Sequence, residues 1–369
     1  MKYYIISGEA SGDLHGSNLI KQLQLLDANP TIRCWGGNLM QATGATLIKH
    51  YRDLAFMGFI EVVKNLPTIF KNLKFCKQDI LEFKPDVLVL IDYPGFNLRI
   101  AEWAKQQGLK VVYYISPQVW AWKANRVKKM KLHIDKMLVI LPFEKSYFKQ
   151  QWNWEVEYVG HPLVEVINNF KLEISNSSSP DSNIIALLPG SRKQEINKKL
   201  PIMLEVAKSF PNYQFVVAKA PGQEDEFYTS FLANYTNVSS VRNDTYNLLS
   251  KSKAALVTSG TATLETALFG VPEIVCYKSS NISYQIAKRL VKVKYISLVN
   301  LIMDKLVVKE LIQDDLTSAN LVIELTNLLN DKQLIDTRNN DYRELKNILS
   351  AGGHASAKAA KSIYEFVTS

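Results

Sequence analysis

AALVTSGTATLETALFG, residues 254–270, indicates the fold class more clearly than any other stretch of this chain. A strand-like apolar run ends at the small-residue turn Ser259-Gly260-Thr261, and a helical stretch containing Glu265 then ends at Gly270. Such a turn leaves the first N–H groups of the helix unpaired at the positive end of its dipole, where a pyrophosphate can bind. Glu265 could then accept hydrogen bonds from a ribose. The alternative is an ordinary turn that Ser and Thr cap.

A second phosphate-suited turn is predicted upstream. Residues 184–188, IIALL, are typical of a buried parallel strand, and PGSRKQE follows at 189–195. Ligands of open α/β sheets bind at the carboxyl ends of strands, where this turn would lie. Gly190 allows close approach of the backbone, and the guanidinium of Arg192 suits phosphate oxygens. A solvated Arg at a loop tip is the alternative.

Length, composition and charge restrict the function classes. A chain of 369 residues with 47% hydrophobic residues is long enough for two domains. Its three cysteines form no CxxC pair, which argues against disulfides and structural zinc. We expect no signal peptide and no membrane-spanning segment, since no run reaches ~18 apolar residues. The net charge of +9 suits an anionic partner, but no motif that reads nucleic acid is present.

Strand-like and helical stretches alternate in both halves, which predicts βαβ units and two parallel sheets. The expected strands are 3–7, 33–35, 87–92, 111–115, 137–141, 184–188, 214–218, 254–258 and 273–277. The helical stretches expected in the first half are about 14–26, 59–83, 98–107 and 123–132. We predict an N-terminal Rossmann-like domain at 1–171, a linker at 172–183, a second such domain at 184–350 and a C-terminal helix at 351–369. That helix could pack back on the first domain.

Two acidic residues follow strands of the first domain. Glu9, in GEASGD at 8–13, would repel phosphate and better suits a sugar hydroxyl. Asp92 ends the apolar run VLVLI and is followed by Tyr93-Pro94-Gly95, so its carboxylate is predicted at the carboxyl edge of the sheet. Burial there could raise its pKa and fit it to act as a general base. A turn-forming Asp is the alternative.

Aromatic and basic residues adjoin one another after the strand at 111–115. The segment VWAW contains Trp120 and Trp122, which could form a wall of a substrate site or pack in the core. Nine residues without an acid then carry five basic ones, Lys123, Arg126, Lys128, Lys129 and Lys131. A solvated helix face is the usual role of such a run.

Taken together, these motifs resemble the lipid-A-disaccharide synthase family, glycosyltransferases of the GT-B fold. The segments that match occur in family order over nearly the whole chain. They are SGEASGDLHG (7–16), FMGFIEVV (56–63), KPDVLVLIDYPGFN (84–97), YISPQVWAWK (114–123), LPFEK (141–145), VGHPLVE (159–165), LLPGSRKQEI (187–196), SGTATLETALFGVPEIVCY (259–277) and YISLVNLI (295–302). The resemblance implies two Rossmann-like domains that face each other across a cleft.

The resemblance also implies a reaction. UDP-2,3-diacylglucosamine would donate its sugar to 2,3-diacylglucosamine 1-phosphate (lipid X), which gives a β-1′,6-linked disaccharide and UDP. It implies that Asp92 is the catalytic base and that Glu9, Arg192, Glu265 and Asn300 contact the donor. The chain departs from the common family pattern at Tyr93, Gly95 and Glu165, where Ala, Asp and Asp are frequent.

The implied chemistry needs neither a metal nor another cofactor. Transfer from an α-linked donor to a β-glycoside is an inversion, so one in-line displacement suffices. No Asp-x-Asp motif is present to hold a metal on the diphosphate, so helix N-termini and Arg192 would stabilise the leaving group.

Acylated substrates predict a cytoplasmic protein attached to the inner face of the cytoplasmic membrane. The expected contact residues are Phe59, Ile60, Val63 and Leu66, with Lys64, Lys71, Lys74 and Lys77 attracted to anionic lipid. Two other functions compete with this prediction. One is a related GT-B enzyme that uses UDP-N-acetylglucosamine, such as the muropeptide transferase or a UDP-sugar epimerase. The other is a non-catalytic binder of nucleotide sugars or nucleic acid.

Overall fold

The computed structural model describes residues 1–54, 66–174, 183–280, 284–285 and 293–369, without the side chains of Leu66 and Ile174. By its contacts the chain divides into two compact units. Unit 1 comprises Met1–Pro162 and Leu349–Ser369, and unit 2 comprises Leu163–Ile348. Residues 163–171, assigned to the first domain by the sequence analysis, thus lie with unit 2.

Unit 1 contains a parallel sheet of seven strands in the order β3-β2-β1-β4-β5-β6-β7. The strands are β1 (Lys2–Ser7), β2 (Thr31–Gly36), β3 (Thr46–His50), β4 (Val87–Ile91), β5 (Val111–Tyr114), β6 (Lys136–Val139) and β7 (Glu157–Tyr158). The helices are α1 (Ala10–Leu26), α2 (Asn38–Ala42), α3 (Leu66–Phe83), α4 (Pro94–Gln106), α5 (Arg126–His133), α6 (Pro142–Trp152), and the C-terminal helix Ala355–Thr368. Residues Tyr51–Leu54 form a 3-10 turn.

Helices cover both faces of this sheet, as alternating side chains of its buried strands require. Tyr4 and Ile6 of β1 pack with residues of α3, α4, α5 and α6. Tyr3 and Ile5 pack on the opposite face with Leu19 of α1. Ala359, Ala360 and Ile363 of the C-terminal helix complete that second cluster. The C-terminal helix therefore packs on the N-terminal sheet.

Unit 2 contains a parallel sheet of six strands in the order β10-β9-β8-β11-β12-β13. The strands are β8 (Ile184–Leu188), β9 (Gln214–Lys219), β10 (Val238–Arg242), β11 (Ala254–Thr258), β12 (Glu273–Tyr277) and β13 (Lys309–Ile312). The helices that lie wholly or mostly in unit 2 are α7 (Pro162–Ile174), α8 (Lys193–Ala207), α9 (Asp225–Leu232), α10 (Thr245–Lys251), α11 (Thr261–Phe269), α12 (Leu298–Met303), α13 (Ser318–Asn330) and α14 (Lys332–Ser350). The C-terminal helix of unit 1 is labelled α15. A 3-10 turn spans Gln313–Asp315. Helices α8 and α13 cover one face of the sheet, and α10 packs on the other.

The fold class predicted from the sequence, two parallel-sheet α/β domains, is confirmed. Four strands were not predicted, β3, β7, β10 and β13, and each is an edge strand. The helix expected at 123–132 begins only at Arg126, because Lys123 adopts a left-handed φ of 57°. Of the expected linker, 172–174 continue α7 and 175–182 lie outside the described residues.

The predicted membrane segment is also largely outside the described residues. Phe59, Ile60 and Val63 fall there, and Leu66 enters only as the first residue of α3. Among the described helices, none combines the length and the apolar character needed to cross a bilayer.

Candidate functional site

In unit 1, Glu9 and Asp92 follow neighbouring strands. Strands β1 and β4 pair in parallel, with Ser7 opposite Ile91, while β2 lies on the far side of β1 and β5 on the far side of β4. The strand order therefore reverses between β1 and β4, which is the position where open α/β sheets bind ligands. Glu9 is the N-cap residue of α1, and its carboxylate raises the pKa of Asp92, so the two acids act on each other at this position.

The backbone at Asp92 is strained and firmly held. Asp92 and Tyr93 both adopt left-handed conformations, with φ of 43° and 49°. Such residues cost of order 1–3 kcal/mol each and persist where the surroundings fix them. Here the Asn97 side-chain amide donates to the Asp92 carbonyl at 2.8 Å, and the Tyr113 hydroxyl donates to the same oxygen at 2.5 Å. The turn thus fixes the direction in which the Asp92 carboxylate leaves the sheet.

The environment of Asp92 suits a general base near neutral pH. Burial raises the pKa of Asp92 from 3.8 to about 7, and the nearby Glu9 carboxylate adds to this, whereas the Tyr93 backbone N–H lowers it. A base is most effective when its pKa lies near the working pH. The rise that the sequence analysis expected is therefore present, and it has two physical causes.

Tyr93, which departs from the family pattern, packs against the loop that carries Glu9. A Cβ added to Gly8 would lie 2.3 Å from the Tyr93 ring, so only glycine fits beneath it. The ring stacks on Phe96 with centroids 5.7 Å apart, and its hydroxyl donates to the Leu54 carbonyl at 3.4 Å. Tyr93 therefore ties the loops after β1 and β4 together.

Glu144 is a buried acid of unit 1 to which no role was assigned from the sequence. This side chain is buried at the start of α6, where it accepts hydrogen bonds from the Leu141 N–H at 2.9 Å and from the Trp120 indole at 3.2 Å. Burial raises its pKa to about 8. The sequence does carry a signal for this role. A glutamate two residues after the proline that begins a helix, as Glu144 follows Pro142, is typical of a residue that caps the start of that helix. Trp120 thus turns inward, while Trp122 is 45% exposed.

Three other polar residues of unit 1 have structural roles in this geometry. The Asp13 carboxylate accepts N–H groups from Gly37 at 2.8 Å and Met40 at 3.0 Å, so it caps α2 rather than its own helix. His15 and His161 are buried, and burial lowers their pKa values to about 4 and about 3. The charge of His15 lowers the pKa of His161 further.

In unit 2, the two predicted phosphate turns are neighbours. Strands β8 and β11 pair in parallel, with Leu188 opposite Val257, and the strand order reverses between them. Gly190 and Gly260 have φ of 113° and 151°, which L side chains rarely adopt. Within the described part of the chain, no side chain caps α11 at its N-cap residue Gly260. The N–H groups of Thr261 and Ala262, at the first two positions of the helix, therefore suit an anion, whereas the Thr263 N–H donates to the Gly260 carbonyl at 3.3 Å.

Charged groups surround these turns. Arg192 is exposed and lies 3.6 Å from the Glu195 carboxylate. Lys199 is buried, donates to the Thr258 hydroxyl and has a pKa that burial lowers. Lys199 was not singled out from the sequence, since nothing in a helical KQEINKK segment marks one lysine as buried. Glu265 accepts the Tyr246 hydroxyl at 3.0 Å, and burial raises its pKa.

The side chain of Asn300 is bonded to other groups of the protein, whereas a residue that contacts the sugar donor would have hydrogen-bonding groups left for it. Its amide donates to the Val308 carbonyl and to Glu310, and its oxygen accepts the Val307 and Val308 N–H groups, all at 2.8–2.9 Å. Glu310 in turn accepts the Ser297 N–H at 2.9 Å. The Asn300 amide is therefore fully used within unit 2.

This network reaches the turn before α11. Glu310 also accepts the Ile296 N–H at 3.0 Å, and the Ile296 carbonyl accepts the Ser259 hydroxyl at 2.9 Å. Asn300 thus supports Ser259 through the backbone of residues 296–297.

Of the predicted site residues, the structure brings Arg192, Ser259, Gly260, Thr261 and Glu265 to the strand-order reversal of unit 2 or to the helix that starts there. It places Glu9 beside Asp92 in unit 1. Within the described ranges, no group of three or more His, Cys, Asp or Glu side chains is arranged to hold a metal ion.

The chain is similar to known proteins over nearly its whole length. The model of the lipid-A-disaccharide synthetase family matches residues 3–366. The chain is 37% identical to the lipid-A-disaccharide synthase of Acidobacterium capsulatum, over 99% of this chain and 96% of that protein. It is also 37% identical to lipid-A-disaccharide synthase 1 of Legionella pneumophila, over 98% of this chain and 96% of that protein.

Solved structures share the fold at low sequence identity. The UDP-GlcNAc 2-epimerase of Neisseria meningitidis, bound to UDP-GlcNAc, superposes with a TM-score of 0.68 at 15% identity and covers 100% of both chains. The glycotransferase of kitacinnamycin gives a TM-score of 0.67 at 13% identity over 99% of each chain. These similarities show the GT-B fold.

Proposed function

Because this chain belongs to the lipid-A-disaccharide synthetase family, we propose that it transfers 2,3-diacylglucosamine from UDP to 2,3-diacylglucosamine 1-phosphate. It is a glycosyltransferase of lipid A biosynthesis. The identity of both substrates follows from the family, and the pair of acids at the β1–β4 reversal is the observation that carries the assignment of the chemistry.

Asp92 acts as the general base in this proposal. Its carboxylate removes the proton from the acceptor 6-hydroxyl as that oxygen attacks the anomeric carbon of the donor, and UDP leaves with the electron pair of the broken bond. Inversion at the anomeric carbon needs no covalent intermediate. A pKa of about 7 leaves much of Asp92 ionised at neutral pH and still basic enough to accept the proton.

Unit 2 binds the UDP part of the donor in this proposal. The uncapped N-terminus of α11 and the neighbouring Arg192 suit the two phosphates, and Glu265 suits a ribose hydroxyl pair. These donors also stabilise the charge that develops on the leaving UDP. The epimerase of the same fold that is bound to UDP-GlcNAc supports a uridine nucleotide as the ligand. Asn300 has a supporting role here, because its amide is fully used.

We further propose peripheral attachment to the inner face of the cytoplasmic membrane. Phe70 and Phe75 of α3 are 61% and 47% exposed, and Lys71 and Lys74 between them are exposed as well. This part of α3 directly follows the predicted contact segment. Partial burial of each phenylalanine contributes up to about 1.5–3 kcal/mol, and each lysine near anionic lipid adds about 1 kcal/mol.

UDP release tests the reaction. The wild-type chain, given both acylated sugars in detergent micelles, should release UDP, and Asp92→Asn should lower kcat by about 10²–10⁴-fold with little change in UDP affinity. If Asp92→Asn retained more than a tenth of the wild-type kcat, Asp92 would be excluded as the general base. Turnover of UDP-N-acetylglucosamine instead would indicate a related GT-B enzyme, and tight UDP binding without turnover would indicate a non-catalytic binder.

Vesicle sedimentation tests the attachment. Phe70→Ser should weaken binding to anionic vesicles without lowering the melting temperature, because that ring is mostly exposed. Leu73→Ser is the matched control on the same helix: this side chain is buried, so the change should lower the melting temperature. Unchanged sedimentation of Phe70→Ser combined with Phe75→Ser would place the attachment elsewhere.

A further inference from the structure

The loop after β5 carries a basic and aromatic cluster that the proposed reaction has not used. We define the WKR cluster as Trp122, Lys123 and Arg126. The Lys123 ammonium lies 4.0 Å from the centre of the Trp122 ring, and the Arg126 guanidinium lies 6.0 Å from it. Both cations thus share one exposed indole.

The backbone fixes this arrangement. Lys123 adopts a left-handed φ of 57°, a conformation that costs energy for a residue with a side chain. The resulting turn lets the Arg126 N–H donate to the Lys123 carbonyl at 3.0 Å. Helix α5 therefore starts at Arg126, and the two cationic residues occupy the first and last positions of the turn.

No carboxylate neutralises these cations within the described part of the chain. Neither Lys123 nor Arg126 forms an ion pair there, whereas Lys129 of the same basic run lies 3.8 Å from Glu102. The pKa of Lys123 is lowered by burial and then by the Arg126 charge. Two positive charges held together without a counter-ion favour an anionic ligand, and a ligand with two negative charges is favoured most.

The WKR cluster adjoins the edge where Asp92 lies. Strand β5 pairs with β4, so the loop after β5 neighbours the Asp92 turn. The buried Tyr113 phenol, which donates to the Asp92 carbonyl, is influenced by both the Asp92 and the Arg126 charges. An acceptor sugar whose 6-hydroxyl meets Asp92 would carry its anomeric phosphate on the far side of one pyranose ring.

Resting on the proposed function, we propose that the WKR cluster binds the 1-phosphate of the acceptor. Arg126 offers a planar pair of donors to two phosphate oxygens, and Lys123 adds a point charge. The cluster thereby selects a phosphorylated acceptor and places the opposite end of the sugar at Asp92.

Two acceptors in neutral detergent micelles test this assignment. Initial rates are measured with 2,3-diacylglucosamine 1-phosphate and with its dephosphorylated form, for the wild-type chain and for Lys123→Ala and Arg126→Ala. Each variant should lower kcat/KM for the phosphorylated acceptor by about 10- to 100-fold, the range for hydrogen bonds to charged groups. The rate with the dephosphorylated acceptor and the KM for the UDP donor should stay unchanged.

Lys128→Ala is the matched control, because this exposed lysine belongs to the same run but not to the WKR cluster. An equal loss with both acceptors would overturn the proposal in favour of a structural role. An equal loss in Lys128→Ala would overturn it in favour of general electrostatic attraction. Absence of turnover in the wild-type chain would instead refute the proposed function. In that case, 2,3-diacylglucosamine 1-phosphate should still bind to the wild-type chain more tightly than its dephosphorylated form does.

Discussion

Replacing Glu9 by Gln should move the pH dependence of the reaction without abolishing it. The wild-type kcat/KM should rise with pH through about 7, because Asp92 must lose its proton to act as a base. The Glu9 carboxylate disfavours ionisation of Asp92. Removing that charge should therefore lower the pKa of Asp92 and extend activity toward acid.

The structure limits the size of this change. The pKa of Asp92 lies about 3 pH units above its ordinary 3.8, and burial is a larger cause than Glu9. Because Glu9 is the smaller of the two causes that raise this pKa, removing its charge should lower the pKa by less than burial raises it, and one pH unit corresponds to about 1.4 kcal/mol. We expect the rising limb to move down by about 1 pH unit in Glu9→Gln, to about pH 6.

The assay is a pH profile of kcat/KM from UDP release at constant ionic strength. Titration of the substrate phosphates affects both proteins equally, so the difference between wild type and variant isolates Asp92. Loss of a sugar contact by Glu9 would lower the plateau of the profile and leave the midpoint unmoved. A midpoint that stays at about 7, or moves upward, would refute the electrostatic coupling of the two acids.

Three further outcomes are expected. Arg192→Ala should weaken UDP binding by about tenfold in calorimetry with little effect on the melting temperature, since the side chain is exposed; unchanged affinity would remove it from the nucleotide site. Asn300→Ala should cost roughly 3 kcal/mol or more in urea unfolding, because it leaves Glu310 and buried backbone groups unpaired; a loss of UDP affinity without a loss of stability would contradict this. The free energy of unfolding should fall as pH drops below 6.5, because His15 and His161 have pKa values of about 4 and about 3 in the folded chain and take up protons more readily when it unfolds. Each histidine should contribute about 1.4 kcal/mol per pH unit to this fall. In urea unfolding, His161→Gln should show a smaller dependence of the free energy of unfolding on pH.

The strands that could be predicted from the sequence are more deeply buried than those that could not. Strands such as β4 and β11 are buried along their full length and appear as continuous apolar runs. The edge strands β3, β7, β10 and β13 are partly solvated, so their sequences lack that pattern. Periodicity therefore predicted the centre of each sheet and the fold class, and it could not predict the full width of either sheet.

The candidate site was predictable where a residue directly follows a buried strand. Asp92 and Ser259 could be placed at strand ends because the strands themselves were recognised. The pairing of Glu9 with Asp92 depends on β1 lying beside β4, 84 residues apart at Tyr3 and Val87, and a single sequence does not give strand order. The contacts of Asn300 likewise depend on β13, which the sequence pattern did not predict.

The discontinuity of unit 1 has a consequence for synthesis on the ribosome. Ala359, Ala360 and Ile363 complete the cluster around Tyr3 and Ile5, so the first sheet stays without part of its cover until α15 has been translated. Unit 2 is one uninterrupted stretch and can fold before that. We expect removal of α15 to leave unit 2 resistant to proteolysis while unit 1 is degraded. In this chain the half that emerges first is therefore the half that finishes folding last.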